Sequence, residues 1–299
     1  SRITSMNPIL YFTYPLGITL VLILVIGLGV FLTRKYNLGW RLYWIGAALF
    51  ILSQVLHIPF NYLIDSLFRN GTLPIPPENY QLLFSAVFLG LSAGLFEELI
   101  RYAGLRWWAK DARSWAKGLL FGSGWGGIEA IIFYVIVLSL NYIIFTALRT
   151  QDLSNQLSPE QLAPLQQGMN LFWSVSWYYS LLGAFERIFT LPVQIALTIL
   201  VLQVFIRGQS RWLWFAIAWH TLLDAFVVIS ISNWGIYATE GIVAIFGLVS
   251  IGIIFALRQP EPPENTQVED LENQILIPQV DLPPIEENLE NIEGTRYTD

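Results

Sequence analysis

Nine ionisable side chains interrupt stretches that are otherwise apolar: His57, Glu97, Glu98, Arg101, Glu129, Glu186, Arg187, His220 and Asp224. Each costs several kcal/mol if it faces hydrocarbon, so each is a candidate for function. Glu97 and Arg101 are four residues apart and Glu98 and Arg101 three, so on a helix the guanidinium can reach back to either carboxylate. His220 and Asp224 are also four apart and share a helical face, where the aspartate can orient the imidazole or share a ligand with it. Adjacent glutamates point about 100° apart on a helix. One of the pair therefore faces a cavity while the other meets a neighbouring helix. A carboxylate beside an imidazole can deprotonate water and stabilise an oxyanion. The alternative is a salt-bridge network that only fixes helix register, and Glu97/Glu98–Arg101 and Glu186–Arg187 are balanced enough for that. Glu129, unpaired in the sequence, and the His220–Asp224 pair argue for a site.

The elements that must position these residues follow from composition. The 299 residues are 55% hydrophobic and 13% charged, with a mean hydropathy of +0.54. Soluble domains carry about 25% charged residues, so an ordinary soluble enzyme is excluded. With no cysteine, disulfide and thiolate chemistry are excluded too, and the two histidines are His57 and His220. Apolar runs long enough to cross a bilayer stand at roughly 9–33, 42–64, 80–105, 118–148, 171–206, 212–232 and 235–257. The expected fold is all-α, a polytopic transmembrane helical bundle of about seven spans. An eighth element can be drawn from 171–206, as an interfacial or re-entrant helix around Leu171–Tyr179 ahead of a span at 182–206. Gly90 and Gly94, and the glycines from Gly118 to Gly127, would allow close helix contacts.

Loop charges set an orientation. Arg34, Lys35, Arg41, Arg106, Lys110, Arg113, Lys117, Arg207, Arg211 and Arg258 fall on one side, and only Arg69 and Arg149 on the other. The basic side is expected to be cytoplasmic, with the N-terminus outside and the C-terminal tail inside. At about 1.5 Å per residue, Glu97 and Glu98 lie roughly 13 Å from the inner ends of their span, Glu129 roughly 16 Å, His220 roughly 12 Å and Asp224 roughly 18 Å. That common level predicts a polar cavity in the inner half of the membrane. Glu240 reads as interfacial, near the outer end of the last span.

Three regions are expected: an N-terminal remnant or outer segment at 1–8, the helical domain at 9–258, and a disordered acidic cytoplasmic tail at 259–299. The tail holds 11 of the 22 acids against one base, Arg296, and six prolines; the rest of the chain carries 15 Lys/Arg against 11 Asp/Glu, a net +4. Such a segment cannot bury enough apolar surface to fold alone. Its clusters Ile275-Leu276-Ile277 and Val280-Asp281-Leu282 are either short docking motifs for a cytoplasmic protein partner or parts of a solvated tail with no partner.

The run Gly90-Leu-Ser-Ala-Gly-Leu-Phe-Glu-Glu-Leu-Ile-Arg-Tyr102 resembles the glutamate-pair motif of the YhfC family of intramembrane metallopeptidases. That family is related to the CAAX-protease and bacteriocin-processing membrane peptidases. Gly122-Ser-Gly-Trp-Gly-Gly-Ile-Glu-Ala-Ile131 is similar to its glycine-rich block, Phe185-Glu-Arg-Ile188 with Gln194-Ile-Ala-Leu197 to a third, and Trp219-His-Thr-Leu-Leu-Asp224 to the last. The resemblance implies Glu97 as base, Glu98 paired with Arg101, and His220 and Asp224 completing the site. The family pattern carries histidines where this chain has Trp125 and Gln194, and a tryptophan cannot do that histidine's work.

A catalytic zinc usually takes three protein ligands and an open position. The metal expectation is zinc on His220 and Glu97. His57 and either Glu97 or Glu129 could complete a set with His220 only if the second and sixth spans are neighbours. His57, followed by Ile58-Pro59, reads better as bonded to a carbonyl freed by a helix kink. Three functions are open: an intramembrane peptidase, altered or weakly active; an inactive pseudo-peptidase serving as scaffold or complex subunit; and a proton- or cation-coupled transporter using Glu97, Glu129 and Glu186. The expected partners are membrane lipids and a membrane-protein or peptide substrate. Nucleic acid is not expected, because the bases sit in short loops at the membrane surface.

Overall fold

The computed structural model describes residues 7–149, 151 and 157–260. The expected remnant through Met6 and the acidic tail from Glu261 lie outside the described residues. The helices are α1 (Leu10–Lys35), α2 (Arg41–Arg69), α3 (Glu78–Trp107), α4 (Trp115–Ala130), a π-helical segment (Ile131–Ile136), α5 (Val137–Leu148), α6 (Pro159–Ser174), a 3-10 turn (Tyr179–Leu181), α7 (Leu182–Arg207), α8 (Arg211–Asn233) and α9 (Ile236–Ala256). Among the described residues there is no strand. Seven helical runs are long and apolar enough to cross a membrane, and α4, the π-helical segment and α5 join into one of them, Trp115–Leu148. The chain is an all-α polytopic membrane protein.

The region 171–206 departs from expectation. The separate helix there is α6, which begins earlier and stops at Ser174. Pro159 opens it at a position that needs no N–H, and Ser158 and Gln161 cap it reciprocally. Val175 then turns extended, with φ −65° and ψ 157°, and ends it.

Lipid is as apolar as leucine, so helices in a bilayer associate through close packing rather than through burial from water. The glycines make that packing possible. A Cβ on Gly94 would stand 2.8 Å from Thr221 Oγ1 and 3.0 Å from the Ile217 carbonyl, and one on Gly90 would press on the Thr221 carbonyl. The backbones of α3 and α8 therefore touch one turn above the glutamate pair. This contact brings Glu98 to His220. On α4, a Cβ on Gly124 would overlap the Tyr43 carbonyl, and one on Gly126 would lie 2.9 Å from Gln194 Cβ. That wedges α4 between α2 and α7 and turns Trp125, fully buried, towards α3. α3 lies against both α2 and α8, α9 covers α7 and α8, and α1 lies on α4 and α7.

Candidate active site

α3 supplies a fully buried ion pair. Arg101 Nη1 donates to both oxygens of Glu98, at 2.7 and 2.6 Å, and both side chains have 0% exposure. Arg101 Nη2 donates to Gln194 Oε1 at 2.5 Å, and the guanidinium carbon lies 4.2 Å from the centre of the Trp125 ring. Two glutamines and a tryptophan that the spacing argument left without roles thus complete the site. Trp125 Nε1 donates to Glu97 Oε2 at 3.3 Å and Gln54 Nε2 to Glu97 Oε1 at 2.9 Å. Arg101 reaches only Glu98 of the adjacent pair; Glu97, pointing away, lines a cavity.

His220 meets Glu98 Oε1 through Nδ1 at 2.8 Å, which places the Nδ1 proton in that bond. Its Nε2 stands 3.7 Å from Asp224 Oδ2, within ion-pair range but beyond a hydrogen bond. Glu98, one helix away, holds the imidazole instead of Asp224. The sequence left Glu129 unpaired, but the structure corrects this. Arg187 Nη1 lies 3.4 Å from Glu129 Oε1, and its Nη2 lies 2.7 Å from Glu186 Oε1. His57 is not bonded to a freed carbonyl. Its Nε2 contacts Ser92 Oγ at 3.1 Å and Asn61 Nδ2 at 2.9 Å. The polar residues Gln54, His57 and Asn61 repeat at three and four along α2, and that spacing was the available signal for Gln54.

Glu97, Glu129, Glu186, Arg187, His220 and Asp224 all line one cavity of about 350 Å³, together with His57, Gln54 and Gln194. Glu98 and Arg101 stand behind its wall. Five carboxylates and two guanidinium groups lie in or against this space. So large a formal excess of negative charge in apolar surroundings has to be met by protons or by a cationic group. The cavity also reaches Glu186, in the first turns of α7 at the end remote from the basic loops, so it extends beyond the level the depth argument picked out.

The order of the helices, the glutamate pair on α3 and the α8 histidine set the frame for comparison. The sequence pattern of the family described as YhfC intramembrane metalloprotease matches residues 20–247. The chain belongs to the YhfC family. It is 30% identical over 210 residues to a protein of Bacillus subtilis (strain 168) described as "Uncharacterized membrane protein YhfC", covering 68% of this chain and 78% of that relative. No solved structure matches. As a YhfC-family chain with seven apolar spans, it is a peptidase-like, multi-pass membrane protein.

The family description implies a metal, and the residues of this chain do not fit one. Among the described residues, no three His, Cys, Asp or Glu side chains are grouped to hold an ion. Both Glu98 oxygens are taken by Arg101, so Glu98 orients His220 through Nδ1 but adds no ligand of its own beside Nε2. His57 lines the same cavity as His220, but its Nε2 is engaged by Ser92 and Asn61. The two positions where the resemblance implied histidines hold Trp125, on Glu97 and under Arg101, and Gln194, on Arg101. The guanidinium is a fixed cation within the donor cluster itself.

Proposed function

We propose that this chain is an intramembrane peptidase that works without a metal, with Glu97 as the base that activates water and His220 as the group facing the oxyanion. The observation that carries this reading is that Glu97, His220 and Asp224 share one cavity while Glu98 and Arg101 brace them from behind. Each Glu97 oxygen accepts one side-chain bond and keeps a second acceptor position for a water. His220 is fixed through Nδ1, so its Nε2 edge faces the cavity near Asp224, and when protonated it can donate to the developing oxyanion. Arg101 would act only as a positioning residue, holding Glu98 and through it the imidazole. We place the basic loops on the cytoplasmic side, by the positive-inside rule, and read the acidic segment from Glu261 as an arm for a cytoplasmic protein.

One observation favours a second reading, a pseudo-peptidase that binds but does not cut. Trp125 and Gln54 already engage both oxygens of Glu97. The two readings part in proteoliposomes loaded with a labelled transmembrane peptide. Cleavage that continues in chelator and falls at least about 100-fold in Glu97→Gln supports the peptidase. Binding of the peptide with no cleavage by the unaltered chain would establish the second reading. Cleavage abolished by chelation would overturn the metal-free mechanism.

A further inference from the structure

A groove of about 340 Å³ opens between α1, α7 and α9, away from the candidate active site. Leu28, Ile195 and Phe255 represent its apolar walls, and Lys35 and Arg258 stand at the basic-loop ends of α1 and α9. The residues lining α1 and α9 recur at three and four, so each helix presents one continuous stripe that ends in a cation. The two cations are matched with rings rather than acids. Lys35 Nζ lies 5.0 Å from the centre of the Phe31 ring, and the Arg258 guanidinium carbon 5.1 Å from that of Trp115. Among the described residues, neither forms an ion pair with a carboxylate, although Arg41, Arg69, Arg101 and Arg187 all do. Trp115 Nε1 is already satisfied by the Ile254 carbonyl, so the wall beneath the cations asks for no polar partner.

We infer that this groove is a binding site for one anionic phospholipid, with an acyl chain between α1, α7 and α9 and the headgroup phosphate between Lys35 and Arg258. Charge complementarity selects the occupant. A groove in hydrocarbon takes an acyl chain from any lipid, but two unmatched cations at its mouth distinguish an anionic headgroup from a zwitterionic one. This site does not depend on whether the cavity at Glu97 cleaves anything.

The test is native mass spectrometry of the full-length protein in detergent, offered phosphatidylglycerol or phosphatidylcholine. One retained phosphatidylglycerol is expected, with a preference of roughly 20- to 30-fold, the scale set by two basic side chains at an anionic headgroup. Lys35→Gln with Arg258→Gln should erase that preference, whereas Arg34→Gln, on the same turn but outside the groove, should keep it. Melting midpoints in lipid-free detergent should be alike for all variants, so a lost preference cannot be taken for misfolding. Equal retention of the two lipids, or an undiminished preference in the double variant, would overturn the inference. So would a zero-length carbodiimide cross-link from Lys35 to a carboxylate of 261–299 that phosphatidylglycerol fails to suppress, since the chain's own acidic segment would then be the occupant.

Discussion

Charge is handled in two ways within one bundle. Behind the cavity, Glu98 and Arg101 have no exposure, and Arg101 is held by three bonds of 2.5 to 2.7 Å from its two terminal nitrogens. Across the cavity, Glu129, Arg187 and Glu186 keep 16%, 12% and 27% of their side-chain surface, and the Glu129 contact stretches to 3.4 Å. Glu129 Oε2 and Arg187 Nε are buried without a hydrogen-bond partner, against Arg101 Nε alone in the first cluster, where both Glu98 oxygens are paired. A buried polar atom left unpaired is costly, and water or a ligand relieves it. The difference teaches that the first cluster is framework, with both of its carboxylate oxygens paired inside the protein, and the second is a surface that a ligand completes.

The sharpest way to break this comparison is to remove each arginine. Arg101→Leu leaves Glu98 buried with His220 Nδ1 in place of its guanidinium partner, and should cost about 3–5 kcal/mol. Arg187→Leu removes a cation from partly exposed partners and should cost far less. Unfolding midpoints of the two purified variants decide this, and equal losses would show that both clusters are framework. Next in size is Trp125→His. Replacing a fully buried indole opens space beneath Arg101 and should cost about 2–4 kcal/mol by the scale of large-to-small changes. The variant should also gain no zinc, because Arg101 still occupies both Glu98 oxygens. Metal content by mass spectrometry checks it, and stoichiometric zinc would mean that Trp125 alone keeps the metal out.

Glu97→Gln is a smaller change to the fold and a large one to the proposed chemistry. Trp125 can still donate to the amide oxygen, and Gln54, with its own amide turned over, can accept from the new NH2 group, so the melting midpoint should stay nearly unchanged while cleavage is lost. A large fall in stability would move Glu97 into the framework cluster.

How much of this was legible depends on how far apart the partners lie. The seven spans follow from apolar length, and a pairing of Arg101 with Glu97 or Glu98 from helical spacing, because both are local. The bond from Glu98 to His220 spans 122 residues. It depends on the α3–α8 approach that Gly90 and Gly94 permit, so spacing within α8 pointed to Asp224 instead. Arg187 meets Glu129 from 58 residues away, and a partner at that range leaves no periodic trace. α6 was within reach, since Ser158 and Gln161 already stand at capping-box spacing, but the apolar run downstream drew the boundary towards itself.

The smallest expected effect tests the ligand-facing cluster most directly. Glu129→Gln keeps the size and most of the hydrogen bonding of the side chain but removes its charge. Its contact with Arg187 is long and Arg187 keeps its shorter bond to Glu186, so the loss of stability should be well below that of Arg101→Leu. If Glu129 faces a bound peptide across the cavity, the change weakens ground-state and transition-state binding alike. KM should then rise while kcat holds, since Glu97 and His220 are untouched. A fall in kcat with KM unchanged would instead place Glu129 among the groups that act on the reacting atoms, and the line between framework and ligand surface would have to be redrawn through α4.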